Sequence, residues 1–142
     1  MIVPDVNLLL YAAISGFPEH ARARTWWEEL LGGTHEVGLA GPVLFGFVRV
    51  STNPRLFDRP LAVDAALARI EEWLDQPSAR FLLPGPRHLE IAFRLLRNLG
   101  TAGNLTTDVQ LAAHAIEYQG EVHSNDADFA RFPEIRWVNP IA

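Results

Sequence analysis

Residues 1–12, Met1-Ile2-Val3-Pro4-Asp5-Val6-Asn7-Leu8-Leu9-Leu10-Tyr11-Ala12, decide the fold. Met1-Ile2-Val3 is short, branched and closed by Pro4, the pattern of a buried strand that opens a sheet. Leu8 to Ala12 continues as a helix with little polar surface. A first strand from Ile2 to Asp5 therefore brings one carboxylate to the C-terminal edge of a sheet, where open α/β folds bind their ligands. Asp5 is the first candidate site residue. Its alternative role is to cap the helix that follows.

The whole chain has 142 residues, enough for one domain with a single hydrophobic core. No stretch approaches the ~18 uncharged residues of a membrane span. No basic residues precede the first apolar run, so a signal peptide is not expected and a cytoplasmic protein is. Cysteine is absent, which excludes disulfides and thiolate metal sites. Lysine is absent too, and all 12 basic residues are arginine. That removes P-loop, protein-kinase and Schiff-base chemistry, each of which needs a lysine. A net charge of -5 argues against broad adhesion to nucleic acid. It leaves a nuclease possible, because a divalent metal in a carboxylate cluster offsets much of the local charge.

The rest of the chain keeps alternating. A helix spans Glu19 to Leu31, a strand Val37 to Ala40, a buried helix Pro42 to Val50, a loop Ser51 to Pro60 and an amphipathic helix Leu61 to Leu74. A strand then runs Arg80 to Leu83 and a helix Arg87 to Leu99. Gly100 to Asn104 is a loop, and Thr106 or Thr107 is placed to cap the next helix. Glu121 to His123 and Arg136 to Val138 are the closing strands. This spacing predicts an α/β fold of three layers around a largely parallel sheet. On the helix before the fourth strand, Asp108 aligns with Leu111, Ala112 and Ala115 and points inward. Gln110, His114 and Glu117 fall on the wet face, so His114 is expected at the surface.

Right-handed crossovers gather the C-terminal ends of parallel strands on one edge. Asp5 and Asp126 follow the first and fourth strands, Asp108 heads the helix leading to the fourth, and Asp128 is a possible fourth acid. Like charges this close raise one another's pKa and destabilise the fold unless a cation enters. Oxygen ligands without cysteine or clustered histidine point to Mg²⁺ or Mn²⁺.

These pieces together resemble the PIN-domain ribonucleases, specifically the VapC-type toxins of bacterial toxin-antitoxin pairs. The resemblance rests on the strand ending in Asp5 with Asn7 two residues on, Gly103-Asn104-Leu105-Thr106-Thr107-Asp108, and Ser124-Asn125-Asp126-Ala127-Asp128-Phe129. Gly46-Phe47-Val48-Arg49-Val50-Ser51-Thr52-Asn53-Pro54 and Arg136-Trp137-Val138-Asn139-Pro140 extend it over residues 1–142 as one PIN domain. It implies a parallel sheet of about five strands, a Mg²⁺ or Mn²⁺ site, endoribonuclease activity, a VapB-like antitoxin partner and a homodimer. Residue by residue, Asp5 and Asp108 match the principal metal-ligand acids and Asp126 the acid after the fourth strand, with Asp128 its neighbour. Asn7 and Ser124 match supporting polar positions. One element departs: the family often carries a glutamate in the third helix, where Leu44 stands here, and no acid occurs from Pro42 to Ser51.

The reaction so implied is metal-dependent hydrolysis of an RNA phosphodiester. Asp5, Asp108 and Asp126 would be catalytic, and Asp128 would join them at the metal. Arg22, Arg24 and the stripe Arg87, Arg94 and Arg97 are candidates to hold the RNA backbone, contacts that position a strand without reading bases. A phospho-acceptor receiver domain would need a lysine. A haloacid-dehalogenase-like phosphatase would need an Asp where Asn7 stands. The alternative in another class is a catalytically degenerate PIN domain that binds antitoxin or RNA without cutting.

Overall fold

The computed structural model describes residues 1–142. The strands are β1 (Ile2–Pro4), β2 (Val37–Ala40), β3 (Ala79–Leu82), β4 (Glu121–His123) and β5 (Arg136–Val138). The helices are α1 (Val6–Ala13), α2 (His20–Leu31), α3 (Gly41–Ser51), α4 (Val63–Leu74), α5 (His88–Leu99) and α6 (Thr106–Glu117). The strands form one sheet in the order β3-β2-β1-β4-β5, and every pairing is parallel. The chain proceeds from β1 toward one edge, through β2 and β3, then returns to build β4 and β5 on the other side. The order therefore reverses between β1 and β4, and a crevice opens at such a switch point, beyond the strand C-termini. No helix is long and apolar enough to cross a membrane.

Pro4 shapes that crevice. Ile2 donates its backbone N–H to Glu36 on the β2 side, and Asp5 donates to His123 on the β4 side. Pro4, two residues after Ile2, faces β2 without an N–H to give. Accordingly β1 pairs with β2 only at Ile2↔Val37, but with β4 from Ile2↔Glu121 through Pro4↔His123. The sheet is thus closed between β1 and β4 and frees β1 early on its other side.

Residues of β1 are buried throughout, as a central strand requires. Helix α1 packs on both α2 and α3, α3 packs on α4, α5 packs on α6, and α6 lies against β1 and β4. Val3, Leu8, Leu9, Leu39, Phe47, Ile91, Leu111 and Phe129 fill the core. Trp73 takes Phe47 edge-on at 4.9 Å and Trp27 at 5.6 Å.

Several boundaries and one burial expectation change. Helix α1 begins at Val6 rather than Leu8, because Asp5 caps it. Helix α4 begins at Val63, since the Leu61 N–H is tied back to the Ser51 carbonyl at 2.8 Å. Strand β3 lies one residue earlier than expected, with Ala79 in register with Val37, and leaves Leu83 exposed. Neither threonine caps α6: a 3-10 turn at Gly103–Leu105 runs directly into the helix, and the Thr106 hydroxyl donates to the Gly103 carbonyl at 3.2 Å. His114, expected at the surface, is only 2% exposed. Helix α5 covers that side of α6, and the His88 ring lies 4.4 Å from the His114 ring, centroid to centroid.

Glu117, on the same side of α6, is also occupied. Its carboxylate accepts the backbone N–H groups of Gly85 and Arg87, each at 2.8 Å, and so clamps the β3–α5 turn. A Cβ at position 85 would overlap that carboxylate, so a larger residue there would displace Glu117 from the turn.

Candidate active site

Asp5 sits where β1 stops and α1 starts, and it caps that helix. One carboxylate oxygen accepts the Val6 N–H at 2.7 Å and caps α1; the other accepts the Ser124 hydroxyl at 2.7 Å. Asp5 is 5% exposed, and burial raises its pKa against the lowering effect of those two hydrogen bonds. The Ser124 hydroxyl in turn accepts the Asp126 N–H at 2.9 Å and, at a longer 3.5 Å, the Asn7 amide. Asp126 then accepts the Asp128 N–H at 2.9 Å, which opens the 3-10 turn Ala127–Arg131. The supporting residues Asn7 and Ser124 thus lie between the acids.

Asp108 reaches the same place from the first turn of α6. It is 8% exposed, and its pKa is pushed up to about 7 by burial first, then by Asp5, Asp126 and Asp128. One carboxylate oxygen from each of Asp108, Asp126 and Asp128 lies within 4.8 Å of the other two. Asp5 lies beside this trio rather than in it, its oxygens turned to Val6 and Ser124. Asp108 is buried, Asp126 half-buried and Asp128 exposed, so three like charges converge from the interior to the surface and repel one another. The donor set is oxygen only, which suits a hard divalent ion.

Residues not named as site candidates hold the frame. The Trp137 indole donates to the Ser124 carbonyl at 3.0 Å, and the Asn139 amide to Asn125 at 3.0 Å, so β5 and the segment after it pin the loop that carries Asp126 and Asp128. The His123 carbonyl takes the Asp5 N–H, and the His123 ring is fixed between Trp26 at 3.2 Å and Glu121 at 2.8 Å. Because the indole can only donate, Nδ1 of His123 accepts and Nε2 carries the proton toward Glu121.

Four of the five arginines named from the sequence already have protein partners. Arg22 donates to the Ile141 carbonyl, and Arg24 pairs with Glu28, Arg87 with Glu90 and Arg94 with Glu134. Arg97 is exposed in the last turn of α5 without an ion pair.

The sequence from residue 2 to residue 135 matches the PIN domain family. The chain belongs to the PIN-domain family. Its kinship lies with the VapC proteins: it is 54% identical over 141 residues to Ribonuclease VapC33 of Mycobacterium tuberculosis, covering 99% of each chain. It is 40% identical over 142 residues to Ribonuclease VapC37 of the same organism, covering 100% of this chain and 99% of that one. Among solved structures, M. tuberculosis VapC20 superposes with a TM-score of 0.70 at 19% identity, over 96% of this chain and 99% of that one. VapBC2 from Rickettsia felis, bound to a promoter DNA fragment, gives 0.70 at 17% identity and 98% coverage of both. Both share the fold. Within this PIN domain the third helix carries no acid, and Leu44 is buried in the core. Asp128 stands in the carboxylate trio instead.

Proposed function

We propose that this VapC-type PIN domain is an endoribonuclease that hydrolyses RNA phosphodiester bonds with Mg²⁺ or Mn²⁺, as the toxin of a VapBC-type pair. The observation that carries the reading is the trio Asp108, Asp126 and Asp128, with ligand oxygens within 4.8 Å of one another at the β1/β4 switch point and Asp5 beside them. Relatives that share 54% and 40% of the sequence along its whole length are named ribonucleases. On this reading Asp108, Asp126 and Asp128 hold the cation and Asp5 completes its surroundings. A divalent cation there acidifies water and offsets charge that builds on the phosphate.

The protein's own groups do the rest. Ser124 fixes the Asp5 carboxylate and holds the backbone of Asp126 through the same hydroxyl, and on this reading the Asp126 side chain would orient the attacking water. Burial raises the pKa of Asp108 to about 7, so below that pH a proton competes with a cation for this carboxylate and loading of the site is linked to pH. The missing acid in α3 would favour a degenerate, binding-only domain. The presence of Asp128 in the trio supports the enzyme. A VapB-like antitoxin, a homodimer and a cytoplasmic setting belong to the same proposal; co-purification with the product of an adjacent gene and light scattering test the first two.

The deciding experiment is cleavage of a mixed RNA pool in EDTA, Mg²⁺ or Mn²⁺ by wild type, Asp5→Asn and Asp108→Asn. Cutting that needs the metal and disappears in both variants is expected. Folded, metal-loaded wild type that leaves all RNA intact would return the binding-only reading.

A further inference from the structure

Helix α2 supplies no acid to the site, yet two of its side chains end on the segments that carry the acids. Arg22 and Trp26 stand one turn apart on a single flank of the helix, beside the buried stripe of Ala23, Trp27 and Leu30. The Trp26 indole donates to Nδ1 of His123 at 3.2 Å, and the two rings lie 5.8 Å apart, centroid to centroid. His123 is the last residue of β4 and is buried. Its carbonyl accepts the Asp5 N–H at 2.9 Å, and the residue after it is Ser124, whose hydroxyl binds the Asp5 carboxylate. On its far side the ring meets Glu121, which Arg136 of β5 holds at 3.1 Å. The imidazole is locked from both sides, and with it the backbone that places Asp5.

Arg22 follows a second route. Its guanidinium donates to the Ile141 carbonyl at 2.7 Å, and Ile141 is buried although it lies beyond β5. The Ile141 N–H goes to the Asn139 side chain at 3.3 Å, and the Asn139 amide reaches Asn125 at 3.0 Å. Asn125 immediately precedes Asp126 in the loop after β4. Arg24, on the opposite side of α2, pairs only with Glu28 in solvent. Packing alone explains neither contact. The stripe of Ala23, Trp27 and Leu30 already buries α2, and a phenylalanine would fill the space of the half-buried Trp26 without aiming an N–H at the imidazole.

We infer that Trp26 and Arg22 are positioning residues for the carboxylate site: Trp26 fixes Asp5 through His123, and Arg22 fixes the loop of Asp126 and Asp128 through Ile141, Asn139 and Asn125. Neither belongs to the ligand set. On the metal-site reading, from which their role follows, both act through other groups, and Arg22 serves the frame rather than the RNA backbone.

The test uses the full chain, first free of metal and then titrated with Mn²⁺ under paramagnetic resonance. Trp26→Phe keeps the aromatic packing and removes the donor. It should speed amide exchange at Asp5 about fivefold and weaken Mn²⁺ binding by a similar factor, while the amides of Val37 and Leu39 in β2 exchange as in wild type. His123→Asn, whose side-chain oxygen takes the place of Nδ1, should keep the Trp26 bond and the Mn²⁺ affinity; His123→Gln, which replaces only Nε2, should lose both. Arg22→Ala should shift the amide resonances of Asp126 and Asp128 and leave that of Asp5 in place, and Arg22→Lys, which retains a donor for Ile141, should restore them. In RNA cleavage Trp26→Phe should lower kcat and leave KM unchanged. Faster exchange spread evenly over the sheet makes Trp26 a packing residue and overturns its positioning role. Mn²⁺ affinity and site amides that ignore Trp26→Phe and Arg22→Ala overturn it as well. If wild type takes up no Mn²⁺, the metal-site reading fails on its own, and exchange at Asp5 still decides: raised by Trp26→Phe, it sustains the role; unchanged, it ends it.

Discussion

Asp108→Asn should abolish cleavage and yet make the metal-free protein more stable. In the folded chain Asp108 has a pKa of about 7, against 3.8 for the free side chain, so its ionised form is disfavoured by folding. Above pH 7 the carboxylate is charged in both states, and a shift of this size corresponds to about 4 kcal/mol against the fold. Water at the helix end screens part of this, which leaves on the order of 2 to 3 kcal/mol. A negative charge in the first turn of α6 returns roughly 0.3 to 1 kcal/mol through the helix dipole. The asparagine should therefore gain about 2 kcal/mol at pH 8, a rise in Tm of about 4 to 8 °C for a chain of this size.

The sign fixes the pH dependence. Between pH 3.8 and about 7 the folded state binds more protons than the unfolded one, so wild type loses stability through this group as pH rises. The gap between variant and wild type is full above pH 7, shrinks as pH falls and closes near pH 4. Thermal unfolding of both proteins in EDTA from pH 4.5 to 8 measures it, and other titrating groups cancel in the difference. Added Mg²⁺ should raise the Tm of wild type more than that of the variant, because a ligand that binds only the folded state stabilises it. A variant that melts at or below wild type throughout, or a gap that does not change with pH, refutes the electrostatic account of the site.

Removing the Ser124 hydroxyl leaves Asp5 without its 2.7 Å donor and Asp126 without its 2.9 Å acceptor. Ser124→Ala should cost about 1 to 3 kcal/mol in urea unfolding and slow single-turnover cleavage, and a variant equal to wild type in both would contradict the bridging role. His114, its pKa lowered to about 4 by burial first and then by His88, stays neutral in the fold. The unfolded chain takes up a proton near pH 6.5, so this residue costs stability as pH falls from there toward 4, by about 1 to 2 kcal/mol after screening. His114→Phe should flatten that acid limb, and an unaltered limb would dismiss the residue as its cause. Glu117→Ala frees two backbone N–H groups, so the amides of Gly85 and Arg87 should exchange with solvent at least tenfold faster while those of β1 do not. Uniform acceleration across the chain would mean global destabilisation instead of a local clamp.

What the sequence disclosed follows from where its information lies. Asp5 and Asp126 are placed by strand ends and Asp108 by helical period, all local properties, and the alternating pattern sets the layers. Whether Asp128 joins the trio depends on how a short 3-10 turn aims its side chain, which no spacing reveals. His114 shows the limit of a helical wheel: the wheel finds a polar face but not the neighbour that covers it, here α5. The arginines show the same limit in reverse. Arg94 reads as free on its helix, yet Glu134, 40 residues on, lies 2.6 Å away. Trp26, His123 and Trp137 act through contacts across the chain, and no local pattern assigns those contacts.

The Ser124 hydroxyl has one proton and two lone pairs, and all three are committed: the proton to Asp5, the lone pairs to the Asp126 N–H and the Asn7 amide. Nothing remains for a substrate or a solvent molecule. Each N–H that polarises the oxygen strengthens the bond it gives away, so the grip on Asp5 depends on the closure of the loop after β4. The ends of β1 and β4 are therefore wired in series. A change that loosens the loop at Asp126 should register as a more basic carboxylate at Asp5, and the two acids of this PIN domain answer to a single hydroxyl.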